Sequence, residues 1–185
     1  MRNRCRPWLV ALLVLSATPV TLASSIAQTE AARAAYADGR TEVAAALFER
    51  AARAGNRVAQ YRYAMMLQQG EIVARDANTA WRWLRRASYA GLPEAQYEFG
   101  RLYETGEIVT QSLATASQWY GRAARQGHPD AQVRLAALLL DDQAGPADPE
   151  AAWRWLLAAA RAGHRGALDD LVRLYRSGRG AEREN

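Results

Sequence analysis

The sequence predicts an all-α fold: a right-handed α-solenoid of stacked antiparallel helix pairs. Three observations predict it. The first is internal periodicity, since Gly55, Gly91, Gly127 and Gly163 are spaced 36 residues apart, as are Ala59, Ala95, Ala131 and Ala167. Trp83, Trp119 and Trp155 keep the same interval, and so do Ala80, Ala116 and Ala152. A sustained period of this length is the signature of stacked supersecondary units. The second is apolar spacing of three and four within each unit, the pattern of a helix with one buried stripe. The third is composition: 40 of the 185 residues are Ala, six are Pro, and all 24 basic residues are Arg. Such a chain favours helix and is poor in strand formers.

Each element follows from local signals. Residues 29–54 read as a first helix pair around the short turn Asp38-Gly39-Arg40. The next unit opens with a helix from Val58 to Gln69, striped by Ala59, Tyr63, Ala64 and Leu67, and Gly70 stops it. A loop leads to a second helix from about Asp76, with Ala80, Trp83, Leu84 and Ala87 on one face, and Gly91 ends it. Pro93 and Pro129 open the following units at the first helical position, where a missing N–H costs nothing. The fourth unit carries Asp142 in place of the loop glycine, and Asp148 is a natural N-cap for its second helix. A fifth unit shows only a first helix, from His164 to about Ser177. The expectation is nine helices over residues 28–180 and a polar tail at 181–185.

Residues 1–27 have the three parts of a secretory signal. Arg2, Arg4 and Arg6 give a positive start, Trp8 to Leu15 is apolar, and small residues then offer cleavage after Ala23 or Ala27. That apolar run is about half the ~20 residues a membrane span needs, so the expectation is a periplasmic protein with no membrane span once the leader is removed. Cys5, the only cysteine, lies ahead of the run. The processed chain would then have no disulfide, thiol nucleophile or thiolate metal site. It would also keep 21 Arg against 19 acids, too small an excess to argue for nucleic acid. With no Lys there is no Schiff-base lysine and no lysine-bearing phosphate loop.

The residues Ala95-Gln96-Tyr97-Glu98-Phe99-Gly100-Arg101-Leu102-Tyr103-Glu104-Thr105-Gly106 resemble the first helix of the Sel-like repeats, a branch of the tetratricopeptide-type helical repeats. The segment from Ala116 through Trp119 and Ala123 to Gly127 is similar to the second helix. The resemblance covers about residues 30–180, or roughly four and a half repeats, with the first pair nearer an ordinary tetratricopeptide repeat. It implies that the first helix of each pair lines a concave side and the second forms the convex back. It also implies precedents among exported members: envelope adaptors, regulators of membrane sensors and parts of secretion assemblies. Some cysteine-rich members were associated with β-lactam binding or hydrolysis, but they carry paired Cys in each repeat.

Candidate residues follow from that register. Arg33, Tyr36, Tyr61, Met65, Tyr97, Arg101, Glu104 and Arg173 are expected on the concave side as contacts for a partner, with Gln68, Val133, Ala137, Asp169 and Arg176 in the same rows. Tyr and Arg combine large area with hydrogen-bonding ends and so anchor interfaces. Trp83, Trp119 and Trp155 are expected to pack between helices, whereas Trp81 and Trp153 point about 200° away from them. His128 and His164 each follow a boundary glycine and are expected to start helices. They sit one repeat apart, roughly 20 Å if each helix adds its packing distance, too far to share a metal. No serine lies in a nucleophile-elbow pattern. At the C-terminal end, Leu171, Leu174 or Tyr175 is expected to lack a covering helix.

The function expected is a non-catalytic interaction module of the bacterial cell envelope, with no cofactor or metal, gripping a protein or peptide partner. One alternative is a periplasmic inhibitor or immunity protein for an envelope-targeting enzyme. The other is a hydrolase of cell-wall or β-lactam substrates that would depend on His128 or His164.

Overall fold

The computed structural model describes residues 19–71 and 76–178, with side-chain surroundings from residue 23. The apolar run at 8–15 and the tail at 181–185 lie outside those residues. Among the described residues there are nine helices and no strand: α1 (Pro19–Ala37), α2 (Thr41–Arg53), α3 (Arg57–Gln69), α4 (Ala77–Tyr89), α5 (Pro93–Thr105), α6 (Leu113–Arg125), α7 (Pro129–Leu139), α8 (Pro149–Arg161) and α9 (Arg165–Arg176). The closest packing is within the pairs α1–α2, α3–α4, α5–α6 and α7–α8, and each pair then packs on the next. Contacts are therefore between chain neighbours, which is the organisation of a solenoid.

The same local devices recur in every unit. Gly55, Gly91, Gly127 and Gly163 take φ between 82° and 90°, a region closed to most side chains, just past the second helix of each pair. This closes a Schellman turn in which, for example, His128 N–H donates to Ala123 O and Gly127 N–H to Ala124 O. Asp76 N–H donates to Leu67 O, Ser112 N–H to Tyr103 O and Asp148 N–H to Leu139 O, pinning the loop back to the first helix at 36-residue intervals. Gln60, Gln96 and Gln132 are buried, and each Nε2 donates over 3.2 Å to the carbonyl eight residues earlier, on Ala52, Ser88 and Ala124. Those carbonyls lie at or next to the end of the preceding helix, where backbone acceptors lack partners within the helix. Each glutamine is thus a clamp between one repeat and the next.

Small residues set the spacing. Ala59, Ala95, Ala131 and Ala167 are fully buried, as are Ala116, Ala123, Ala152 and Ala159. Aromatic and leucine side chains fill the wedges between them. Phe99 packs edge-on to Trp119 at 5.0 Å and to Tyr103 at 5.5 Å. Burial of this kind is the main source of cohesion.

Four expectations are corrected. α1 starts at Pro19 instead of near residue 29, and its buried stripe of Ser25, Thr29, Ala32 and Ala35 begins ahead of the expected unit. Ser25 and Thr29 are small enough to carry the buried α1 face, which packs on α2, further towards its N-terminal end. Leu171 and Leu174 are buried against α8; the exposed apolar residues of α9 are Leu168, Val172 and Tyr175. Trp83 and Trp119 are buried as expected, but Trp155 is only partly so. Ser117 and Gly121 of α6 are too small to cover its flank and leave a groove beside it. The fourth correction concerns the histidines and is given with their geometry below.

Candidate recognition groove

Two openings on the first-helix side lie between successive first helices. One, of about 440 Å³, is walled by Arg33 and Tyr36 of α1, Tyr61, Arg62, Met65, Met66 and Gln69 of α3, Glu98 of α5, Phe48 of α2, and Glu71. Four of the expected partner contacts, Arg33, Tyr36, Tyr61 and Met65, therefore meet in one groove. The other, of about 310 Å³, lies between α7 and α9 and gathers Val133, Ala137, Leu140, Asp170, Arg173 and Leu174. The first-helix row is thus open at both ends of the described solenoid.

The N-terminal groove is chemically mixed. The Tyr36 hydroxyl donates to Glu71 Oε1 over 3.0 Å, and that carboxylate holds the phenol above its ordinary range. Burial raises the Tyr61 phenol as well, so both stay neutral hydrogen-bonding groups. Arg62 reaches back over the Tyr61 ring at 6.0 Å, which is within cation–π range. Met65 and Met66 supply polarizable apolar wall that adapts to different shapes. The lining thus offers donors, acceptors, both signs of charge and apolar surface, which suits a peptide segment.

The middle of the row is occupied by the protein itself. Tyr97 stacks on His128 at 4.9 Å with 14° between planes, and lies 5.6 Å from Tyr120. The Tyr120 hydroxyl donates to Glu104, which also lies 3.6 Å from Arg134. Tyr97 and Glu104 therefore bind α5 to α6 and α7. Arg101 is partly buried and donates from Nε to Glu98 over 2.9 Å, which holds its guanidinium above its ordinary range. Arg173 is exposed and paired with Asp170.

Sequence reasoning missed Arg62, Glu98 and Glu71 as groove lining. Arg62 and Glu98 sit in one repeat register, each directly after the tyrosine of that row, Tyr61 or Tyr97. That signal was available. Glu71 follows Gly70, so its place depends on how the loop turns and not on helical register.

His128 and His164 are N-caps, with Nδ1 accepting from Ala131 N–H and Ala167 N–H. Their side chains converge: Asp130 Oδ1 is 3.2 Å from His164 Nε2, and its Oδ2 is 4.0 Å from His128 Nδ1. The expected ~20 Å separation is wrong. The cap positions face one another across adjoining repeats, and the carboxylate of Asp130 lies between the rings. Among the described residues no group of three or more His, Cys, Asp or Glu is placed to hold a metal ion, and no helix is long and apolar enough to cross a membrane.

No curated protein matches the chain. Among solved structures it is similar to a Sel1 repeat protein from Oxalobacter formigenes, at 31% identity and a TM-score of 0.65 over 67% of this chain and 93% of that one. It is also similar to a protective antigen present in uropathogenic Escherichia coli strains that displays an SLR fold. Identity there is 28% and the TM-score 0.75, over 89% of this chain but only 36% of the longer antigen. The Sel1 repeat model matches residues 26–56, 57–92, 93–128 and 129–164, which are the four helix pairs α1–α2 to α7–α8, and the chain belongs to the Sel1 repeat family.

Proposed function

We propose that this chain is a non-catalytic interaction module of the bacterial cell envelope, gripping a protein or peptide partner along the concave, first-helix face. Sel1 repeats are in general protein–protein interaction modules. The observation that carries the finer reading is the groove between α1, α3 and α5, where Arg33, Tyr36, Tyr61 and Met65 converge. A rigid scaffold presenting such a lining lowers the ordering cost of binding, and its arginines orient the partner. Arg173 and the second groove extend the footprint to the far end.

Export fits the same reading, with cleavage after Ala23 in preference to Ala27. Ser25 is fully buried, and its carbonyl accepts the Thr29 hydroxyl over 2.7 Å. Cutting after Ala23 keeps that turn of α1, whereas cutting after Ala27 removes it. The intact mass of protein recovered from the periplasm distinguishes the two.

The binding test is site-specific photo-crosslinking in cells, with the reactive residue at Tyr61 or, as control, at the exposed Tyr89 on α4. Adducts confined to position 61, and abolished by Arg62→Ala, support the groove. Equal adducts at both positions, or capture of every partner unaffected by Tyr61→Ala and Arg62→Ala, would show that the groove is not the binding face.

A further inference from the structure

The last described helix, α9, carries an apolar stripe that no described element covers. Leu168, Val172 and Tyr175 of α9 are 59%, 48% and 63% exposed. One repeat earlier the same positions are Gln132, Ala136 and Leu139, then Gln96, Gly100 and Tyr103, then Gln60, Ala64 and Leu67, and each of these is buried or partly buried. In those units the second helix of the pair lies alongside. α9 has no such helix among the described residues.

The stripe is not shaped for another helix of the repeat type. The middle position is Ala64, Gly100 or Ala136 wherever a second helix is present, and all three are buried. At Gly100 even one added carbon would meet the Tyr120 ring at 2.8 Å. Val172 is larger than any of them, so a helix covering it must stand further off. The clamp glutamine is also replaced, by Leu168. The residues at 179–185, Arg-Gly-Ala-Glu-Arg-Glu-Asn, contain no apolar side chain larger than Ala to lay on it.

We infer that a second copy of this chain covers the stripe, α9 against α9 in an antiparallel two-fold pair centred on Val172. The charges select that occupant and that direction. Asp169 and Arg176 are exposed, and neither forms an ion pair among the described residues. At 100° per residue both fall on the same flank of the stripe, on the side away from the buried Ala167, Leu171 and Leu174. In an antiparallel pair with Val172 facing its own copy, Leu168 packs on the partner's Tyr175 and Asp169 meets the partner's Arg176. Two-fold symmetry repeats both contacts. In a parallel pair the same two charges would stand seven residues, about 10 Å, apart along the axis. The antiparallel helix dipoles add to the preference. Arg173 is already held by Asp170, and Arg165 falls opposite positions beyond the end of the partner's helix. One face of a 12-residue helix buries less than the ~1,200 Å² of a stable interface, so association is weak and rises with concentration.

Sedimentation velocity of the purified chain over increasing concentration tests this, with circular dichroism confirming that each variant keeps its helices. The wild-type chain is expected to shift from monomer toward dimer, and Val172→Asp to weaken association at least about tenfold by placing two carboxylates at the axis. Asp169→Arg and Arg176→Asp each set like charges together and weaken it when alone. An equimolar mixture of the two restores both ion pairs and associates more strongly than either variant. A wild-type chain that stays monomeric throughout leaves the stripe to a different protein and overturns the inference. So does a dimer indifferent to Val172→Asp, or a mixture no stronger than its components.

Discussion

Gly100→Ala separates helix propensity from packing. Gly100 lies inside α5, where propensity alone makes Ala the better residue by about 1 kcal/mol. The structure opposes this. A Cβ at Gly100 would sit 2.8 Å from both Cδ1 and Cε1 of Tyr120 and 3.3 Å from the Ala116 carbonyl oxygen. The ring has no room to retreat, being fully buried, with Tyr97 5.6 Å away and its hydroxyl held by Glu104. Overpacking of this kind costs about 1–3 kcal/mol. A shortfall of several tenths of an ångström against a fixed ring belongs at the upper end, leaving Gly100→Ala about 2 kcal/mol destabilised. The neighbouring repeats supply the compensating change, since Ala64 and Ala136 occur with Leu84 and Leu156 where Gly100 occurs with Tyr120. In the Gly100→Ala/Tyr120→Leu double variant the two losses are therefore not additive, with a favourable coupling of about 1–2 kcal/mol. Urea denaturation followed by circular dichroism on the four proteins measures the cycle. A Gly100→Ala protein more stable than wild type, or a double variant equal to the sum of its parts, would refute the packing argument.

Three further outcomes are expected. Gln96→Ala should cost more than Gln132→Ala, because Gln96 Oε1 also accepts from Gln126 Nε2 over 2.7 Å while Gln132 Oε1 is buried without a partner. The difference in urea midpoint should correspond to about 1 kcal/mol. Burial first, and then the hydrogen bond to Glu104, push the Tyr120 phenol above its ordinary range. A raised folded-state pKa means that this contribution to stability is complete below pH ~10, where the unfolded phenol ionises, and is lost as pH rises beyond it. Tyr120→Phe should flatten that alkaline decline in thermal melts, and an unchanged slope would contradict the assignment. His164→Ala should cost about 1 kcal/mol and His164→Asn much less, because Asn56 caps the equivalent helix. Equal losses in the two variants would mean that the cap is not what His164 contributes.

The helices, their order and their pairing were legible in the sequence because every repeat solves the same local problem. A glycine must take positive φ at 55, 91, 127 and 163, an acid or proline must begin a helix at 76, 93, 129 and 148, and a small residue must lie under its neighbour at 59, 95, 131 and 167. These demands fall on single positions or on adjoining chain segments, so periodicity displays them directly. All eight candidate contacts were read from helical register, and four of them, Arg33, Tyr36, Tyr61 and Met65, line one groove. What register could not show was which exposed-looking side chains the protein uses on itself. Tyr97 and Glu104 occupy the same rows, yet His128, Tyr120 and Arg134 claim them. The meeting of His128 and His164 at Asp130, the open flank of Trp155 and the place of Leu168 and Val172, in preference to Leu171 and Leu174, beside Tyr175 on the bare face of α9 were equally hidden. Each depends on the size or charge of a side chain contributed by a different helix, or on how α9 itself is turned against α8. Residue identity along the chain determined the repeated hairpin. Only their stacking decided which side chains were left over to meet something else, because that is set by contacts between units and at their ends, where the repeat pattern no longer constrains the answer.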